Sequence, residues 1–138
     1  MTATRRFRRQ HRELQKLAAL LLKEAHRPGS DATTIQRALR RFVGKLRIHA
    51  TMETGALYPA LLASDDDAVR ERAERLHREL DPLYSLVDGL LEVWGTAEKI
   101  DARRIRFRIE LTRVIAKLGW RMMRENRELY PMADQALG

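Results

Sequence analysis

At 138 residues the chain is long enough to bury one continuous core without staples, and no linker divides it, so residues 1–138 read as a single domain. It contains no cysteine, which removes disulfides, thiolate chemistry and Cys-based zinc sites and leaves His and carboxylate as the side chains able to hold a metal. A net charge of +8 and a pI near 10.6 raise nucleic acid or an acidic partner. Lys and Arg are interspersed with Glu and Asp, however, no nucleic-acid motif is recognisable, and aromatic residues at 6% are too few for base stacking. The charge therefore reads as a solvated helix surface, which weighs against nucleic acid as a partner.

The first helix is expected from about Thr4 to Ala25, with core positions Phe7, His11, Leu14, Ala18, Leu21 and Ala25 in steps of three and four. Its longest uncharged apolar run, Leu17 to Leu22, is far too short for a membrane span or a signal-peptide core, so a soluble, cytoplasmic protein with no membrane partner is expected. Pro28 and Gly29 stop this helix, and Ser30 or Asp31 caps the next. His26, beside that turn, reads as a partner of the helix dipole rather than as a ligand.

The second helix runs to about Ala63 on the stripe Ile35, Leu39, Phe42, Leu46, His49, Glu53, Ala56, Ala60. His49 and Glu53 stand one turn apart on a face that should be dry, where an unpaired ionisable group costs several kcal/mol, roughly. A metal is one compensation, since positions i and i+4 project to one side of a helix; a hydrogen-bonded core pair is another. Gly55 removes a side chain from the region where Pro59 bends the chain. Ser64, followed by Asp65, Asp66 and Asp67, reads as the cap of a third helix. Its stripe is Ala73, His77, Leu80, Tyr84, Val87, Leu91, Trp94, kinked at Pro82 and ending near Gly95. The fourth helix begins between Thr96 and Asp101 and carries Phe107, Leu111, Val114, Leu118, Arg121, Glu125, then Leu129 or Glu128, and Met132. No segment alternates as a strand does, and the expected fold is all-α: an up-down-up-down four-helix bundle.

In antiparallel neighbours, residues equidistant from the connecting turn lie side by side, each residue of mismatch shifting them by ~1.5 Å. Counted this way, His11 and His49 are offset by ~5 Å, His49 and His77 by ~3 Å, and His77 and Arg121 by ~3 Å. All four helices thus send polar side chains to one layer, which independently satisfied core residues have little reason to do.

His11 in FRRQHRELQKL, His49-x-x-x-Glu53-x-x-x-Leu57-Tyr58-Pro59, His77 in ERLHREL and a second Glu125-x-x-x-Leu129-Tyr130-Pro131 element carry a resemblance over nearly the whole chain. The pattern resembles the hemerythrin-like, or HHE cation-binding, family. That resemblance implies a pair of iron ions bridged by Glu53 and Glu125, one held by His11 and His49, the other by His77 and a histidine four residues before Glu125. That last position is Arg121 here, and a guanidinium is a cation with five donors and no lone pair to offer a metal. His11, His49, Glu53 and Glu125 remain as a two-His, two-carboxylate site for one ion.

Two readings follow. In the first, the chain is a binding protein for metal, by resemblance iron, with one ion rather than two. It would bind or sense dioxygen, nitric oxide or iron, with a small diatomic as ligand. In the second, the bundle holds no metal and works as an interaction or regulatory module, with Arg121 forking between Glu53 and Glu125 in the cation's place. No Ser or Cys nucleophile lies on the core stripes and no glycine-rich phosphate loop is present, so an enzyme is not expected.

Overall fold

The computed structural model describes residues 3–138, the side chain of Leu83 excepted, and among these residues there is no strand. Helix α1 spans Arg5–His26 and α2 Ala32–Met52. Helix α2 passes through a π turn, Glu53–Leu57, into α3, Tyr58–Leu62. Helices α4 (Asp67–Leu80) and α5 (Pro82–Trp94) follow, then a short α6 (Ala97–Ala102) and α7 (Arg104–Arg124). A second π turn, Glu125–Leu129, leads into α8, Tyr130–Leu137. Helix α1 packs on α2 and α7, and α5 packs on the same two, so these four elements close a ring.

Local chemistry accounts for the ends. Gly29 takes a φ of +71° in the turn after α1, and the Asp31 carboxylate accepts the Thr33 N–H at 3.1 Å. Asp66, not Ser64, caps α4 by accepting from Ala68 N–H at 2.9 Å, while Ser64 Oγ accepts the Asp66 N–H within the preceding turn. Pro82 opens a new helix rather than kinking an old one, since proline is tolerated at a first helical position. Thr96 caps α6, and Arg103, at φ −144° and ψ 58°, separates it from α7. The His26 Nδ1–H donates to Leu22 O at 2.9 Å near the end of α1, as a dipole partner would.

Phe7, Leu14, Phe42, Leu46, Leu80, Val87, Leu111 and Leu118 are buried, as their periodicity predicts. The expected stripe fails after Glu53: Ala56 and Ala60 are exposed and Leu57, Tyr58 and Leu61 are buried instead. The cause is the π turn. The Tyr58 N–H bonds to Glu53 O, five residues back, and the inserted residue rotates everything beyond it by one position. Glu125 repeats the device with Tyr130 N–H, so Leu129, Tyr130 and Ala133 face inward while Glu128 and Met132 are half-buried. A proline, Pro59 or Pro131, stands two residues after each π turn; it has no N–H to donate, and its ring crowds the carbonyl four residues earlier in an α-helix. Gly55 does not make that room, because a Cβ there would meet nothing within 4 Å. On α4 and α5 the inward positions are Ala73, Leu76 and Leu80, then Val87, Leu90 and Trp94; His77 and Leu91 are half-buried at the flank.

The buried apolar residues form two clusters. One contains Leu14, Leu46, Val87, Leu118 and Met122, the other Phe7, Leu57, Leu76, Leu80 and Leu129. Along α1, α2 and α7 the residues between them in sequence are His11, then His49 and Glu53, then Arg121 and Glu125. A polar layer is thus enclosed by apolar packing on both sides.

Candidate metal centre

His11, His49, Glu53 and Glu125 are each at most 1% exposed, and one ligand atom from each lies within 4.8 Å of all the others. His11 Nε2 is 3.0 Å from His49 Nε2 and 2.9 Å from Glu125 Oε1. His49 Nε2 is 3.1 Å from Glu53 Oε1 and 3.7 Å from Glu125 Oε1. A metal with bonds of about 2.0–2.2 Å spaces its ligand atoms about 3–4 Å apart, so the set is already at ligand spacing.

The outer nitrogens determine which way the rings offer their lone pairs. His49 Nδ1 donates to Gln10 Oε1 at 2.7 Å, and His11 Nδ1 donates to Asn126 Oδ1 at 2.9 Å. With Nδ1–H committed to an amide oxygen, the neutral tautomer of each ring carries its lone pair on Nε2, and the two Nε2 atoms face each other. The Tyr130 hydroxyl donates to Glu53 Oε2 at 2.8 Å, and its oxygen lies 3.0 Å from His11 Nε2 and 3.4 Å from His49 Nε2. Lone pairs outnumber protons at this point, and a cation answers that imbalance whether it is a metal or an added proton. The donor set, two imidazoles and two carboxylates, fits a first-row metal ion.

Burial opposes a charged His49, but the carboxylates of Glu125 and Glu53 outweigh it and push its pKa up to about 9. Burial, and then the charge of Glu125, raise the pKa of Glu53, although His49 opposes them. Burial pulls Glu125 the same way, yet hydrogen bonds from His11 and His49 and the charge of Arg121 hold it well below the usual carboxylate range. The two carboxylates are thereby driven apart, with Glu125 the more firmly ionised.

Arg121 is 2% exposed. Its Nε donates to Glu125 Oε2 at 3.2 Å, Nη1 donates to Leu80 O at 2.7 Å, and Nη2 lies 3.7 Å from Glu53 Oε1. Its guanidinium carbon sits 3.2 Å from the ring centroid of Tyr84, whose hydroxyl donates to Glu53 Oε1 at 2.8 Å. The fork expected between the two carboxylates is thus a hydrogen bond to Glu125 and a longer ion pair to Glu53.

His77, expected among the metal ligands, stands outside the group of four. It is half-buried, 3.6 Å from Asp81 Oδ1 and stacked on Tyr58 at 4.5 Å between ring centroids. Its Nε2 and the Tyr58 hydroxyl are buried without hydrogen-bond partners. Guanidinium now occupies the space between the carboxylates and the α4–α5 break. From that side Tyr84, rather than His77, reaches Glu53.

Sequence reasoning missed Gln10, Asn126 and the hydroxyls of Tyr84 and Tyr130. Gln10 and Asn126 carried a usable signal, since each adjoins a predicted ligand in the chain, His11 or Glu125. Tyr130 carried only its place in the repeated Leu-Tyr-Pro ending, which does not fix the way it faces. The family model for the hemerythrin HHE cation binding domain matches residues 2–133. No curated protein and no solved structure matches the chain.

Proposed function

The chain belongs to the hemerythrin HHE cation-binding family, and from that premise we propose that it binds a single metal ion, iron by kinship, through His11, His49, Glu53 and Glu125. The observation that carries the reading is the pair of facing Nε2 atoms at 3.0 Å, each set by an outward Nδ1–H bond to an amide oxygen. The ring formed by α1, α2, α5 and α7 supports the up-down-up-down bundle arrangement that brings those side chains together.

Arg121 restricts the site to one ion. Two carboxylates and one guanidinium sum to one negative charge; a divalent ion makes it one positive, which an anion bound at the metal balances. An iron ion here would supply a Lewis-acidic, redox-active position for a small ligand such as dioxygen or nitric oxide. The chain's part is to fix two imidazoles, keep Glu125 ionised and exclude water. We read it as a binding or sensing protein of soluble compartments, with no catalytic step assigned. No helix among the described residues is long and apolar enough to cross a membrane.

One observation favours the second reading, a metal-free interaction module. Arg121 already bonds Glu125, and a protonated His49 leaves the carboxylate pair neutralised. Elemental analysis of untagged protein, with an aerobic absorption spectrum, separates the two. About one transition-metal ion per chain is expected; protein that stays metal-free after incubation with ferrous iron, and unfolds at the same temperature with and without it, overturns the metal reading.

A further inference from the structure

Three observations at the centre of the layer concern one atom that the expected ligand set leaves out. The phenol oxygen of Tyr130 lies 3.0 Å from His11 Nε2, 3.4 Å from His49 Nε2 and 2.8 Å from Glu53 Oε2, so it takes a place among the four ligands rather than behind them. It is 0% exposed, with its ring stacked on Phe7 at 5.9 Å and tilted over His11 at 5.1 Å. The π turn is what turns it inward, because Tyr130 is the first residue after the inserted position.

Resting on the one-ion reading above, we propose that Tyr130 is a fifth ligand and binds the metal through its phenol oxygen as phenolate. The oxygen–metal bond forms as the O–H bond breaks, and the proton leaves to solvent with the water shed by the entering ion. No oxidant or reductant is needed. Charge supports the assignment independently of distance. In a pocket whose members are at most 2% exposed, Glu53, Glu125 and a phenolate contribute three negative charges, and Arg121 with a divalent ion contributes three positive. The site is then neutral without a separate anion, which a desolvated layer favours.

Other features carry less. Ile105, Ile109, Trp120 and Met123 are exposed along α7, but nothing shows what covers them. The Tyr58 hydroxyl and His77 Nε2, buried without hydrogen bonds, belong to the polar layer already described.

The chain has three tyrosines, Tyr58, Tyr84 and Tyr130, so substitution assigns a tyrosine-derived signal without ambiguity. Protein loaded with ferrous iron and oxidised by air to the ferric state, checked by electron paramagnetic resonance, should develop a phenolate-to-ferric band in the visible. Resonance Raman excitation within that band should enhance phenolate ring vibrations. Tyr58→Phe should retain band and vibrations, and Tyr130→Phe should lose both while still holding about one iron per chain. If Tyr130→Phe fails to fold or to take up iron, the wild-type Raman spectrum decides: iron bound without phenolate vibrations overturns the proposal. A band that survives Tyr130→Phe and disappears in Tyr84→Phe also overturns it. Iron that does not bind the wild type at all removes the one-ion reading and this inference together, whereas bound iron without the band removes only the inference.

Discussion

The molecule lays a tyrosine that follows a π turn over a histidine twice, and the two pairs differ in their polar contacts. In the half built on His11, His49 and Tyr130, the phenol lies over His11 at 5.1 Å between centroids and an interplanar angle of 37°, and its hydroxyl bonds Glu53 and approaches both imidazoles. In the half built on His77, Arg121 and Tyr58, the phenol lies over His77 at 4.5 Å and 39°, yet its hydroxyl has no hydrogen bond and the imidazole Nε2 has only Asp81 Oδ1 at 3.6 Å. Backbone and aromatic packing are preserved; the polar contacts are not. Arg121 delivers its charge between Glu53 and Glu125, while the Tyr58 hydroxyl and His77 Nε2 stay without hydrogen bonds.

The largest expected effect comes from removing that charge. Arg121→Ala in metal-free protein leaves two buried carboxylates without their guanidinium, strips the donor from Leu80 O and empties the space over Tyr84. We expect a loss of about 3–5 kcal/mol in unfolding free energy measured with chelator present. With metal bound the loss should be smaller, because the carboxylates then have another cation. Arg121→His should instead restore the symmetry of the two halves: metal content should rise by about one ion per chain, with His77 brought in from its half-buried place. A neutral Arg121→Ala in the metal-free protein would contradict the electrostatic role given to Arg121.

Next in size is pH. Burial opposes the charge on His49, but Glu125 and Glu53 raise its folded pKa to about 9 against an ordinary 6.5. A group whose pKa is raised on folding contributes stability that is fully present below the unfolded value and is lost as pH rises through the folded one. Metal-free protein should therefore lose stability between about pH 6.5 and 9, by on the order of 3 kcal/mol. Metal competes for the same Nε2 lone pair, so binding should release a proton from His49 and tighten across this window. Chemical denaturation at a series of pH values, with and without metal, checks both signs.

Smaller again are the residues that aim the rings. Gln10→Ala and Asn126→Ala each release an Nδ1–H and the tautomer it sets, and each should weaken metal binding about 10–100-fold with the fold intact. Competition against a chromophoric chelator measures this. Equal affinities in both variants and wild type would mean that the amide bonds do not orient the imidazoles.

Most of this contrast was legible in the sequence, and its limits have a physical origin. Steps of three and four placed His11, His49, Glu53, Arg121 and Glu125 on inward faces, and all five are buried. Periodicity works there because the helix is regular. It fails from Glu53 onward and again from Glu125 onward, since a single i+5 bond adds a residue that leaves no trace in a hydrophobic pattern. The proline after each LY pair is the nearest thing to a warning. The same failure hid Tyr130, whose facing depends on that bond. His77 was misplaced for another reason: between Ala73 and Leu80, both buried as expected, a step of three or of four fits equally well, and α4 turns Leu76 rather than His77 inward.

The smallest expected effect tests the comparison most directly, because it asks the same substitution in both halves. Tyr58→Phe removes a buried hydroxyl that has no hydrogen-bond partner, so nothing is broken and a desolvated polar group is relieved. It should be neutral or stabilising, by at most about 1 kcal/mol. Tyr130→Phe removes a hydroxyl bonded to Glu53 and leaves Glu53 Oε2 short of a donor, and should cost about 1–3 kcal/mol in metal-free protein. Both changes remove one oxygen from a ring that keeps its packing, so the difference between them isolates the polar contacts from the apolar ones. Equal costs would show that the Tyr58 hydroxyl does find a partner in solution, an ordered water bridging it to His77 Nε2 being the simplest. In that event the half with Arg121 would keep its own polar network, and the asymmetry between the halves would rest on Arg121 alone.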